Sequence, residues 1–212
     1  NGINNTNKNN LSYDRDHDGY RNSSVAAAIG HDFDGGHEVG MTFSKNKGQA
    51  ELDVGELNFD TQVLTGYGKW QVRNNLDTRL TLTNVFDKQD TPAFNSHYDT
   101  HRNTALWQTN WQATDIHLVT AGAEYIDESL DTDQGYTNES RYGRGLFIQD
   151  QMNFGRNSLK LGARNDDSSQ YSTENTWNAA YGFELSSTLK LFANYGTAFK
   201  APSFNDLYQP YK

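Results

Sequence analysis

Several stretches of this chain alternate apolar and polar side chains with a period of two, and that spacing admits one kind of element. Leu76, Thr78, Leu80 and Leu82 alternate with Asp77, Arg79, Thr81 and Thr83, while Leu159, Leu161 and Ala163 alternate with Lys160, Gly162 and Arg164. Trp177, Ala179, Tyr181, Phe183 and Leu185 repeat the pattern, as do Leu189, Leu191, Ala193 and Tyr195. Residues two apart share a face of a strand but scatter around a helix, so each stretch predicts a strand with one apolar and one polar face. Tight connections rich in Gly, Asn and Ser punctuate the chain: Asp34 to Gly36, Arg73 to Asn75, Gly155 to Asn157, and Ser186 with Ser187. Longer polar segments, 47–60, 87–104, 128–142 and 166–174, lie between them. Short and long connections alternate, which predicts about ten antiparallel strands with the short turns at one end and the long loops at the other.

Two architectures fit such strands, a soluble antiparallel sandwich and a membrane barrel. Only 34% of residues are apolar and mean hydropathy is −0.88, which is thin for a conventional core. Aromatic residues nevertheless reach 13% and proline only 3 residues, a balance opposite to that of disordered chains. No apolar run approaches 18 residues, so a transmembrane helix is excluded, but a transmembrane strand needs apolar residues on one face only. Short turns at one end and long loops at the other are the habit of bacterial outer-membrane barrels. Tyr67, Trp70, Trp107, Trp111, Tyr125 and Tyr195, near strand ends, are read as the aromatic girdles of such a barrel. The expected fold is therefore all-β, an antiparallel up-and-down transmembrane β-barrel of which about ten strands are present. With no cysteine and a net charge of −9, thiolate chemistry is absent and nucleic acid is disfavoured as a partner. Membrane lipid or detergent is expected around the wall.

At the C-terminal end, "ANYGTAFKAPSFNDLY" (Ala193 to Tyr208) resembles a mid-barrel signature of the TonB-dependent outer-membrane receptors, in which a strand enters a loop through Gly196, Thr197, Phe199, Lys200, Ala201 and Pro202. Upstream, "GARNDDSSQY" (Gly162 to Tyr171) and "TWNAAYGFEL" (Thr176 to Leu185) are similar to the same region of the cobalamin receptors of that family. The resemblance implies a bacterial outer-membrane location, a barrel of about 22 strands around a plug, cobalamin as ligand, and energised uptake through TonB, which reaches the receptor by way of the plug. Residues 1–212 are expected to be a partial barrel without the plug or the closing strands. A siderophore or haem receptor, a passive pore formed by the re-closed sheet, and a soluble calcium-dependent binding domain are the alternatives. An open ten-stranded piece would leave two sticky edges, for which a homodimer or another barrel-closing oligomer is the expected remedy.

"DRDHDGY" (Asp14 to Tyr20) places three carboxylates at alternate positions before a glycine. An EF-hand needs a bidentate glutamate at its twelfth position, which here is Val25, and helices on both sides, so that reading fails. A solvated acidic loop tip is one remaining reading. The other comes from the resemblance, which implies a calcium site at the rim built by Asp16 and Asp18 before Gly19 and Tyr20, joined by Asp60 and by Glu51 and Asp53 of the next long loop. Calcium takes six to eight hard oxygen ligands, which two neighbouring acidic loops could supply.

Catalytic constellations are missing. The six histidines, His17, His31, His37, His97, His101 and His117, form no HExxH spacing, and no G-x-S-x-G, P-loop or dinucleotide fingerprint occurs. The adjacent acids Asp127 and Glu128, or Asp166 and Asp167, would point to opposite faces of a strand and cannot act together on one substrate. No enzymatic activity is expected.

Overall fold

The computed structural model describes residues 18–52 and 55–208. Its elements are β1 (Tyr20–Phe33), β2 (His37–Leu52), β3 (Gly55–Arg73), β4 (Leu76–Thr91), a single 3₁₀ turn (Pro92–Phe94), β5 (Ser96–Gln112), β6 (His117–Thr132), β7 (Ser140–Phe154), β8 (Asn157–Ser168), β9 (Glu174–Ser186), β10 (Leu189–Gly196) and α1 (Phe204–Tyr208). All ten strands form one sheet in sequence order, each antiparallel to the next. Among the described residues β1 and β10 are each paired on one side only. The same residues contain no helix long and apolar enough to cross a membrane, so any crossing is made by strands.

Register sorts the side chains into two faces. Met41, Gly66, Leu82, Ala105 and Tyr125 lie in one row across β2 to β6, and Leu80, Trp107, Ala123 and Leu146 in another across β4 to β7. Ile29 of β1, in register with Met41, extends the first row, and the large side chains of both are exposed, Ile29 at 73%, Leu146 at 62% and Trp107 at 54%. The buried hydrophobic residues, by contrast, are Leu130, Tyr136 and Phe204 among those described. A sandwich would hide its apolar rows between two layers; here a single layer turns them outward, where only lipid matches them. The soluble alternative therefore has no second layer to stand on.

The opposite face is polar and carries its own ladder. Thr65 meets Thr83 at 3.2 Å, and Asn110 donates to Asp77 and accepts from Gln108 and Thr120. Aromatic rings on this face lie flat over glycines: Tyr67 pairs in register with Gly40, and Phe147 with Gly122. A Cβ on Gly122 would come within 2.4 Å of the Phe147 ring, so the close approach requires glycine there. Tyr67 accordingly does not belong to a lipid-facing girdle. Its hydroxyl donates to Glu38 at 2.6 Å and the Arg79 guanidinium sits 3.8 Å from its ring centre, whereas Trp70, Trp107, Trp111, Tyr125 and Tyr195 do share the outward face.

The expected long loops are mostly strand. β2 and β3 run through nearly all of 47–60, and β4 and β5 leave only 92–95 between them. Beyond the apolar band both faces meet water, so Lys45, Lys47, Asp60 and Gln62 erase the alternation while the backbone ladder continues unbroken. Irregular chain remains at 133–139 and 169–173. A fifth tight connection, 113–116, contains neither Gly nor Asn; instead the Thr114 hydroxyl accepts from the backbone N–H groups of Ile116 and His117, a side-chain substitute for the usual turn chemistry.

If the outward rows face lipid, Leu82→Arg will cost about 2–4 kcal/mol while Thr81→Arg, one residue away on the polar face, will stay within roughly 0.5 kcal/mol. Denaturant unfolding of the protein in lipid vesicles measures both.

Candidate functional site

The acidic residues expected to hold calcium are only partly brought together. Glu51, near the end of β2, accepts a hydrogen bond from the Gly19 N–H at 2.7 Å through Oε2, and its own N–H donates to the Gly19 carbonyl at 2.8 Å. A Cβ on Gly19 would sit 2.4 Å from that carboxylate oxygen, so glycine is what lets Glu51 close on the entry to β1. Asp18 precedes this clasp directly. Asp60 lies elsewhere: it pairs in register with Lys47, whereas Glu51 pairs with Glu56, a separation of four residues or about 13 Å along the strand. Asp60 is ion-paired to Lys45 at 3.1 Å. Asp16 and Asp53, and the preceding Asp14, lie outside the described residues. Within those described, no group of three or more His, Asp or Glu is gathered as a metal centre.

The polar face carries a second assembly that the sequence did not reveal. Arg102, Glu128 and Arg141 stand in one row, paired in register across β5, β6 and β7. Glu128 is buried, 5% exposed. Arg102 donates to its Oε1 from Nε and Nη2 at 3.1 and 2.6 Å, and Arg141 donates to its Oε2 from Nε. Each carboxylate oxygen therefore has a cationic donor, which is the condition for burying such a charge. Neighbouring Asp127 falls on the other face, as strand geometry demands, and so does Asp167 beside Asp166. A similar clamp lies lower on the wall, where the Arg164 side chain crosses Gly145 to reach both Glu124 and Asp166.

Arg141 ties the wall to the family-motif loop. Its Nη1 donates to the Pro202 carbonyl at 2.6 Å, and its guanidinium lies 4.5 Å from the centre of the Phe204 ring. The motif before it is anchored at β9: Thr197 exchanges hydrogen bonds with the Trp177 backbone, and Gly196 pairs with Asn178. Phe199 stacks obliquely on Tyr171 at 5.4 Å, while Lys200 and Ala201 are exposed. Ser203 and Asp206 then exchange hydrogen bonds across the first turn of α1, a reciprocal cap. Phe204 fills a small apolar cluster with Leu130 and Tyr136, flanked by Tyr98 and Tyr208. Tyr136 donates to Asn205 at 2.6 Å and Tyr208 to Gln170. Beneath this strap a cleft of about 390 Å³ opens on the polar face, lined by Asp87, Gln89, Thr100, Arg102 and Ser203 among others. Burial pushes the Tyr136 phenol up to about 12, with the adjacent Tyr98 adding to the effect.

A one-layer antiparallel wall, apolar outside and polar inside, with a strap folded onto the inner face, defines a class of membrane protein. The family model "TonB dependent receptor-like, beta-barrel" matches residues 1–211, and the chain belongs to that family, which comprises outer-membrane receptors and transporters and not enzymes. Among its relatives is the "Vitamin B12 transporter BtuB" of Photobacterium profundum, 28% identical over 93% of this chain and 34% of its own length. A protein of the same description from Vibrio vulnificus is 32% identical over 51% of this chain and 18% of its own. The chain thus spans about a third or less of the length of the curated relatives it matches.

Two outcomes follow from the strap. Arg141→Met leaves Glu128 half-paired in a buried place and will cost about 2–4 kcal/mol; amide exchange at residues 203–208 will quicken in this variant but not in Asp127→Asn, which alters the opposite face. The folded state holds the Tyr136 proton more tightly than the unfolded chain, whose phenol titrates near 10.0. The stability this contributes is whole below pH 10 and lost as pH rises from there through about 12. Ultraviolet difference titration of the protein against its Tyr136→Phe variant will show one high-titrating phenol missing.

Proposed function

We propose that this chain forms wall and extracellular rim of an outer-membrane receptor that takes up cobalamin by TonB-dependent transport. The observation that carries this reading is the match along 93% of the chain to a relative described as a vitamin B12 transporter. The plug and the TonB contact would be borne by the rest of a longer polypeptide, and cobalamin would enter over the polar face at the long-connection end. Residues 1–212 would then be a partial barrel, and the edges of β1 and β10 that have no partner among the described residues would be completed by further strands of that polypeptide. A second copy of the chain is the other way to close them, and a detergent-corrected mass of two chains per particle would favour it.

Calcium is proposed at the entry to β1. Support comes from the Glu51 clasp on Gly19, which sets a carboxylate beside Asp18 with Oε1 not engaged by Gly19. Asp16 and Asp53, adjoining them in sequence, would add oxygens. Asp60 would have to exchange its lysine partner Lys45 for the ion, a cost that sets it apart from the others. The bound ion would fix the first two strands of the rim against one another.

Binding of cyanocobalamin to outer membranes carrying the full-length protein, with and without a calcium chelator, tests both parts. Saturable binding that neither haem nor a ferric siderophore competes is expected. The Glu51→Gln variant should raise the calcium concentration needed by at least about tenfold, ~1.4 kcal/mol. Displacement by haem or a ferric siderophore would transfer the receptor to that substrate, and binding indifferent to chelation and to Glu51→Gln would remove calcium from the site.

A further inference from the structure

The outward face is not a uniform apolar wall: it contains two grooves built to one plan. Asn84 donates to Asn103 across β4 and β5 at 2.8 Å, and Asn165 donates to Asn175 across β8 and β9 at 2.9 Å. Each couple is a directly opposed pair on the lipid side. One outward step below each lies a pair made of one large apolar residue and one alanine, Leu82 with Ala105 in the first and Trp177 with Ala163 in the second. The alanines leave notches. The first continues to Gly66, where an added Cβ would touch nothing within 4 Å, and is walled by Met41, Leu64 and Tyr125; the second is walled by Leu146 and Ile148. The grooves measure about 410 and 520 Å³, within the range of ligand sites.

Chemistry at the head of each groove is specific. A primary amide has two donors and an acceptor with two lone pairs, and each Asn–Asn pair uses one donor and one acceptor. The remaining amide groups lie on the outward face near the end of the apolar rows, one outward step short of the Phe86–His101 pair in the first groove, where Asn103 also faces Asp127, and of the Asp167–Arg144 pair in the second, and such groups beside hydrocarbon need partners. The grooves are continuous with the lipid-facing band, so their occupant is lipid. We propose that each groove binds one acyl chain of a bilayer lipid in a fixed position, the chain lying in the alanine notch and its ester or amide carbonyl accepting a hydrogen bond from the asparagine pair. A carbonyl at the head of an apolar chain fits a donor at the head of an apolar notch, and neither a bare hydrocarbon nor a soluble ligand offers both. The inference rests on the outward band and is independent of what the receptor transports.

The test uses the full-length protein in nanodiscs containing a phosphatidylglycerol with a photoreactive diazirine on its acyl chain, with adducts mapped by peptide mass spectrometry. Expected is a several-fold excess of adducts at Leu82–Ala105 and at Ala163–Trp177 over the outward residues Leu191 and Tyr195 of β10. Ala163→Leu, which fills one notch with an apolar side chain, should bring that groove to background and leave the other unchanged. An ether-linked analogue of the same lipid, which lacks the carbonyl, should lose most of the excess at both without any mutation. Adducts spread evenly around the band, or an excess indifferent to both notch filling and the ether linkage, would mean annular lipid only and overturn the proposal.

Discussion

Within a bilayer no water is at hand to satisfy a peptide N–H or C=O, so every strand crossing it must be paired along its length. That requirement explains why ten strands follow one another without a crossover and why register runs unbroken over a dozen residues or more in most pairs. Once the ladder is complete, side chains need not form a core. They are free to be lipid-matched on one side and polar on the other, which is how a chain with little apolar content folds at all.

The same ladder assembles the sites. Arg102, Glu128 and Arg141 are separated by 26 and 13 residues in sequence and become neighbours because antiparallel register sets them in a row. Glu128 is held by two arginines, one of which also grips the Pro202 carbonyl and the Phe204 ring. The strap between β10 and the end of α1 is therefore seated on a buried charge, not merely on an apolar patch. Glycines serve this arrangement by absence of side chain: Gly145 lets Arg164 lie across the wall, and Gly19 lets Glu51 close on the start of β1.

The outward face follows different rules. Its large residues are dispersed among alanines and glycines, and the gaps are not random, since both grooves pair an Asn couple with an alanine notch. The proposed acyl-chain sites would use both features of each groove, the notch for the hydrocarbon and the amide pair for the carbonyl.

The alternation of Leu76 to Leu82, Leu159 to Ala163 and Trp177 to Leu185 was enough to determine strand type and which residues share a face, because a strand's period of two is a property of the local backbone, and the antiparallel direction came from the short connections. Tight turns were legible where Gly, Asn or Ser marked them and went unseen at 113–116, where a threonine hydroxyl does their work. Strand length was misjudged for a physical reason: above the membrane both faces are wet, so polarity stops reporting on pairing. Side-chain partnerships were beyond the sequence altogether. Nothing local tells Tyr67 that it will lie over Gly40 on the polar face, puts Asp60 against Lys45 instead of beside Glu51, or brings Glu128 between two arginines; those outcomes depend on register and on which strands become neighbours, and only the assembled sheet decides them.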